Sequence, residues 1–136
     1  VLDLFAGTGA LGLEALSRGA EHITFVENGR VGQKLISENI AKMRAQDRCK
    51  LMAQDATKLP PGVPCDLVFL DPPYGKSLGH QALSCALAQG WIAADAWIIF
   101  EEASTMTPKG FVLCESRKFG GTTMTFLQPI LAPAES

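Results

Sequence analysis

The chain has no C-x-x-C pair. Its four cysteines, Cys49, Cys65, Cys85 and Cys114, are widely separated, and His22 and His80 add little that could complete a metal site. That pattern argues against a zinc module or a disulfide framework and reads as free, buried thiols in a reducing compartment, with no metal. No apolar run reaches membrane-spanning length, and no charged-then-apolar leader precedes a cleavage site, so the expected setting is cytoplasmic, away from the membrane. A strong charge of either sign is also missing. The net charge of −2 gives no chain-wide footprint for a polyanion, although a local patch can hide in such an average. Internal repeats, low-complexity segments and linkers are lacking, which leaves one domain. There is no starting methionine, and Val1-Leu2-Asp3-Leu4-Phe5 is already strand-like, which reads as a piece of a longer protein whose upstream residues are absent.

What is present suits an α/β protein. The 136 residues are 47% hydrophobic and 19% charged, enough to bury a real core. Apolar runs predict strands over 1–5, 23–26, 49–53, 66–70 and 96–100. Between them lie a short helix ending near Ser17 before Arg18-Gly19, and a second helix with Val31, Leu35, Ile36, Ile40 and Met43 on one face. A third helix carries Ala82, Leu83, Ala86 and Leu87 and stops near Gly90, after a mobile-looking loop over 75–79. Strands alternating with helices imply a mostly parallel sheet with right-handed crossovers. Two final strands, 111–118 and 122–127, flank Phe119-Gly120-Gly121 as a hairpin, which requires an antiparallel strand. Residues 129–136 read as a loose tail.

Two motifs carry chemistry. Leu67-Val68-Phe69-Leu70 runs into Asp71-Pro72-Pro73-Tyr74. Proline lacks the amide hydrogen that would continue a sheet ladder, so the strand stops there and leaves a stiff acid-plus-aromatic pair at its carboxyl end, the ligand-binding edge of open α/β sheets. An ordinary turn would use the same residue types. The second motif, Gly7-Thr8-Gly9-Ala10-Leu11-Gly12, fits G-x-G-x-x-G between a strand and a helix, and Glu27 follows Gly7 by about twenty residues. Asp3 precedes this loop. A carboxylate there repels a pyrophosphate and favours a cationic ligand. With Asp55 after strand three and Asp71 after strand four, four acids gather at the carboxyl ends of strands one to four. Asp55 alone reads more simply as a turn acid. Together the four suit a ligand with hydroxyls, an exocyclic amine and a positive centre, as in S-adenosylmethionine.

The run from Asp3 to Ala20 resembles the opening motif of the RsmD-type ribosomal RNA guanine-N2 methyltransferases. Phe25-Val26-Glu27-Asn28, Asp55-Ala56, Asp71-Pro72-Pro73-Tyr74 and Lys118-Phe119-Gly120 fall where that family's later motifs fall, so the resemblance spans about residues 1–128. It implies a Rossmann-like class I methyltransferase fold, a mostly parallel seven-stranded sheet with a C-terminal antiparallel hairpin, and a domain over 1–128. It also implies S-adenosylmethionine held by Asp3, Phe5, Ala6, Gly7, Thr8, Gly9, Glu27, Asn28, Asp55, Ala56 and Asp71. Within that set the Gly7–Gly9 loop would cradle the methionine part, Glu27 the ribose and Asp55 the adenine amine. Asp71, Pro72, Pro73 and Tyr74 would hold and activate the target base. The expected partner is ribosomal RNA, within an assembling small subunit, bound by a monomer. The resemblance also implies a basic segment before the first motif, which reads as missing with the other upstream residues.

Other readings use the same residues differently. A nicotinamide-dependent oxidoreductase explains the glycine loop and Glu27 but leaves Asp3 and Asp71-Pro72-Pro73-Tyr74 without a role. A methyltransferase for a DNA adenine amine or a protein glutamine amide would need the same planar-nitrogen chemistry. A non-catalytic cofactor-binding module is the third. Arg117, Lys118 and Lys76 are candidates for phosphate contact or plain solvated cations. His22 and His80 read as surface or capping residues, and Trp91 and Trp97 as packing residues.

Overall fold

A computed structural model describes residues 1–72, 77–102 and 107–130, without the side chains of Glu102 and Phe119. The described strands form one seven-stranded sheet in the order β3-β2-β1-β4-β5-β7-β6. The strands are β1 (Leu2–Leu4), β2 (Ile23–Val26), β3 (Cys49–Met52), β4 (Cys65–Leu70), β5 (Ile92–Glu102), β6 (Phe111–Phe119) and β7 (Thr122–Pro129). Helices α1 (Ala10–Ser17), α2 (Arg30–Lys42) and α3 (Leu78–Ala88) make the connections, with a 3-10 turn at Gln46–Arg48. The pairs β1–β2, β1–β4, β2–β3 and β4–β5 are parallel. Strand β7 enters between β5 and β6, antiparallel to both. This is the class I methyltransferase architecture, with the expected hairpin supplying the antiparallel part.

The chain reverses strand order at β1, where β2 lies on one side and β4 on the other. Such a switch point opens a crevice at the carboxyl ends of the strands. One face of the sheet is sealed by α3, whose Ala82, Leu83 and Ala86 pack on Leu2, Leu4, Val68, Leu70, Ile98 and Phe100. On the opposite face Leu13 and Leu16 of α1 and Ile36 and Ile40 of α2 pack on Ile23 and Phe25. Central β1 is therefore buried along its whole length, as a parallel strand covered on both faces must be.

Several element limits differ from expectation, each for a long-range reason. Strand β1 stops at Leu4, because Phe5 turns into the left-handed region at φ 59°. Strand β5 begins at Ile92, four residues before Ala96, since the amino end of β4 pairs there: Cys65 sits beside Ile92, Leu67 beside Trp97, and a bulge takes up the excess. Pro129 is not tail. It is the last residue of β7, buried opposite Phe111. Leu78 and Gly79, expected in a loop, open α3. On α2 only Ile36 and Ile40 are buried, while Val31 is 75% exposed and Leu35 and Met43 also reach solvent. Val31 lies about 140° around the helix from Ile36 at 100° per residue. Trp91 is buried and donates its ring N–H to the Pro60 carbonyl at 2.7 Å, whereas Trp97 is 46% exposed and does not belong to the core. All four cysteines are free, but none is fully buried: Cys49, Cys65 and Cys85 are half-buried and Cys114 is exposed. Among the described residues no helix is long and apolar enough to cross a membrane.

Candidate active site

The glycine loop is held open by an acid from the neighbouring strand. After Phe5 the chain turns through Gly7 and Gly9, at φ 61° and 81°, with the Gly9 amide on the Ala6 carbonyl and the Ala6 amide on Val26. The non-glycine turn at Phe5 costs about 1–2 kcal/mol, strain of the kind that gathers at ligand sites. Glu27, just past β2, accepts the Gly7 amide on Oε1 at 2.8 Å and the Gly29 amide on Oε2 at 3.0 Å. One carboxylate thus ties the loop to the first turn of α2. Gln33 donates to the Glu27 carbonyl, and Asn39 to the Thr8 carbonyl. A Cβ on Gly32 would sit 2.7 Å from the Gly7 carbonyl oxygen and 2.9 Å from Glu27 Cγ. Only glycine allows α2 this close.

Asp3 lies beneath the loop, 3% exposed, with Oδ2 accepting the Gly12 amide at 3.2 Å. Burial raises its carboxyl to about 7; the Gly12 bond opposes that rise, and the charges of Asp71 and Glu27 add to it. Gly12 can approach because it lacks a Cβ, which would fall 2.5 Å from the Phe25 ring and 3.1 Å from Asp3 Oδ2.

On the far side of β2, Asp55 accepts the amide and hydroxyl of Thr57 on Oδ1, at 2.9 and 2.7 Å. Those two bonds hold its carboxyl below the usual carboxylate range. The turn reading of Asp55 is therefore correct as far as Oδ1 goes, while no bond engages Oδ2 among the described residues. Beside it, the side-chain oxygen of Gln54 is buried without a hydrogen-bond partner.

Asp71 follows β4 directly. Its side chain keeps access to solvent, yet the surrounding protein raises its carboxyl above the ordinary value. Pro72 is buried and backed by the start of α3, where a Cβ on Gly79 would meet Pro72 Cγ at 3.1 Å and the Phe100 ring at 2.3 Å. The His80 ring meets Phe100 edge-on, with centroids 5.8 Å apart. Pro73, Tyr74 and Lys76 lie outside the described residues.

The strand register explains why these acids meet. Asp3 pairs with Phe25 and Phe69, and Phe69 pairs with Ile99, so all four occupy one row and one face. Two residues farther along the same strands come Phe5, Glu27, Asp71 and Glu101. Alternation within β5 carries Glu101 back to the same face, one step nearer the carboxyl edge, and Glu27 and Asp71 follow β2 and β4 directly, whereas Phe5 leaves the pattern at its left-handed turn. Glu101 is half-buried, its carboxyl raised by burial first and by the Asp71 charge second. Among the described residues no three histidines, cysteines or acids converge closely enough to hold a metal ion. The carboxylates are strung along the edge instead.

The family described as "Conserved hypothetical protein 95" matches residues 1–128. Ribosomal RNA small subunit methyltransferase D of Haemophilus influenzae is 33% identical over 127 residues, 88% of this chain and 66% of that protein. The chain belongs to the RsmD-type family. Its Escherichia coli relative of the same name is 37% identical over 101 residues, 74% of this chain and 51% of that protein. The chain therefore spans about half to two thirds of the length of the curated relatives it matches. A solved methylase structure from Haemophilus influenzae superposes with a TM-score of 0.85 at 30% identity, covering 96% of this chain and 86% of that one. A solved methyltransferase from Escherichia coli gives the same TM-score and identity over 94% of this chain and 74% of that one.

For this RsmD-type chain, the sequence-expected residues separate into groups. Asp3, Phe5, Ala6, Gly7, Thr8, Gly9 and Glu27 form one continuous wall around β1 and β2. Asn28 is exposed beside that wall, whereas Ala56 is buried behind Asp55. Asp71 and Pro72 stand on the other side of β1. Reading motifs missed Glu101, Gly32, Gln54 and Thr57. Glu101 had a signal, an acid at the carboxyl end of an apolar strand like the four recognised. Gly32 had none, because its role depends on where α2 docks.

Proposed function

We propose that the protein is an S-adenosylmethionine-dependent methyltransferase that modifies the N2 amine of a guanine in small-subunit ribosomal RNA, a cytoplasmic activity exercised on the RNA or its assembling particle. The RNA substrate follows from the family match, and the observation that carries the cofactor is Asp3: a buried carboxyl raised to about 7, directly under the glycine loop and within the field of Asp71. A cationic ligand above it restores its ionised form. A pyrophosphate would add to the repulsion, which disfavours a nicotinamide dinucleotide.

The residues present fit that cofactor. The Gly7–Gly9 turn, shaped by Glu27 and Gly32, forms a cradle open at Gly7, where a side chain would project into free space. Glu27 keeps acceptor lone pairs beyond the two amide bonds, available to ribose hydroxyls. Asp55 Oδ2 and the unpartnered Gln54 oxygen are two acceptors that suit an adenine amine. S-adenosylmethionine bound there supplies an electrophilic methyl group on a positively charged sulfur.

The protein's own part is to make a poor nucleophile reactive. The guanine N2 lone pair is delocalised into the ring. Asp71 and the Pro72 carbonyl accept the two amine hydrogens, turning the lone pair toward the methyl group and stabilising positive charge as it grows on nitrogen. Pro72 is braced by α3, so its carbonyl is a fixed acceptor. Tyr74 stacks on the base. Asp71, raised above the ordinary carboxylate range, is also suited to receive the proton that nitrogen finally loses.

Labelled methyl transfer to naked ribosomal RNA, ribosomal particles, DNA and protein tests the assignment. Asp71→Ala should abolish transfer to RNA or particle while S-adenosylhomocysteine affinity stays within a few-fold. Equal turnover by both proteins, or label on DNA or protein alone, contradicts it.

A further inference from the structure

We propose that Glu101 is the specificity-determining residue that reads guanine, its carboxylate accepting the ring N1–H while Asp71 takes a hydrogen of the neighbouring N2 amine. The assignment rests on the function proposed above and adds which base edge the site is built to receive.

The geometry comes from the sheet. Leu70 of β4 is in parallel register with Phe100 of β5, so the next residues, Asp71 and Glu101, stand side by side at the carboxyl edge. Adjacent strands are about 4.8 Å apart, within the spread of two carboxylate tips serving one base edge. Both side chains belong to the face defined by Asp3, since Asp3, Phe69 and Ile99 share a row two residues below. On its other flank Glu101 faces Met124 of β7, a thioether with no hydrogen to donate. Among the described residues no hydrogen bond or ion pair engages either carboxylate. Each carboxyl is raised above its ordinary value, and the Asp71 charge contributes to the rise at Glu101.

Two adjacent acceptors that no donor among the described residues engages select a ligand edge with two adjacent donors. Guanine is the standard base that places a ring N–H beside an exocyclic amine. Adenine and cytosine put a lone pair next to their amine, and uracil flanks its N–H with carbonyls. A lone pair aimed at Glu101 is repelled and leaves the carboxylate without the donor it would otherwise meet once a base covers it, which is how a polar site rejects the wrong base.

The test compares the RNA that the wild-type protein methylates with the same RNA carrying 2-aminopurine at the target position. That analogue keeps the N2 amine but has a lone pair at N1. The wild type should favour guanine by about 100-fold in kcat/KM, the range of one well-placed base contact. Glu101→Gln, whose amide can donate to N1, should bring the two substrates within about 5-fold, with S-adenosylhomocysteine affinity and melting temperature unchanged. A Glu101→Gln protein that is active with the wild-type preference intact overturns the assignment. No transfer by the wild type to any guanine-containing RNA or particle overturns the underlying function, and the role of Glu101 with it.

Discussion

Gly7 donates its backbone amide to Glu27 Oε1 at 2.8 Å, joining the turn after β1 to the end of β2. The other oxygen of the same carboxylate holds Gly29. An acid of this kind is usually read as a ligand for sugar hydroxyls, but here it also fixes the glycine turn proposed to hold the cofactor. Hydrogen bonds to a charged group contribute about 1.5–3 kcal/mol each where they are shielded, and less in this half-exposed position. Glu27→Ala should lower S-adenosylhomocysteine affinity at least tenfold and lower the melting temperature of the free protein as well. Calorimetric titration and thermal melting separate this from a pure ligand role, which would leave the melt unchanged.

Asp3 makes stability depend on pH. Its folded-state pKa is about 7 against an ordinary 3.8, so between those values the native state holds a proton that the unfolded chain has released. Stability must then fall as pH rises through this window, by roughly 4 kcal/mol once Asp3 is fully ionised. Asp3→Asn removes the titrating group. Urea unfolding at pH 5 and pH 8 should show a larger loss for the wild type than for Asp3→Asn. Parallel losses in the two proteins would place the titration elsewhere.

Gly32→Ala tests whether loop position, rather than loop sequence, governs cofactor affinity. The added methyl would press on the Gly7 carbonyl and on Glu27. Overpacking of this kind costs about 1–3 kcal/mol. S-adenosylhomocysteine binding should weaken at least tenfold although no residue of the glycine motif has changed. Wild-type affinity would show that α2 can draw back without disturbing the turn.

Gln54 carries an unsatisfied buried oxygen in the free protein. Removing an orphan acceptor while keeping its volume relieves a penalty of about 1–3 kcal/mol. Gln54→Leu should therefore melt higher than wild type without ligand, and gain less on adding S-adenosylhomocysteine. Equal gains would show that the amide takes no part in adenine recognition.

Much of this protein is decided locally. Apolar runs four to six residues long, cut by glycine and proline, set the strands. The glycine loop and Asp71-Pro72-Pro73-Tyr74 declare themselves, because a tight turn and a blocked ladder are properties of neighbouring residues. The family resemblance rests on the same short-range motifs. Glu27, Asp55 and Asp71 were each legible as an acid just past a strand and Asp3 as an acid inside strand one, and the apolar runs that placed them there are local too.

What the acids do together was decided by tertiary structure. Register across four strands brings Asp71 beside Glu101 and sets Asp3 one row below, and no spacing along the chain encodes that row. Helix docking selects Ile36 and Ile40 over Val31 and turns Gly32 toward the loop. Phe111 draws Pro129 into the sheet, and β4 extends β5 back to Ile92, in each case through partners more than ten residues away in sequence. The sequence by itself determined which residues could bind and where the chain must turn. Only folding decided which carboxylates share a field, because electrostatic coupling depends on distance through space.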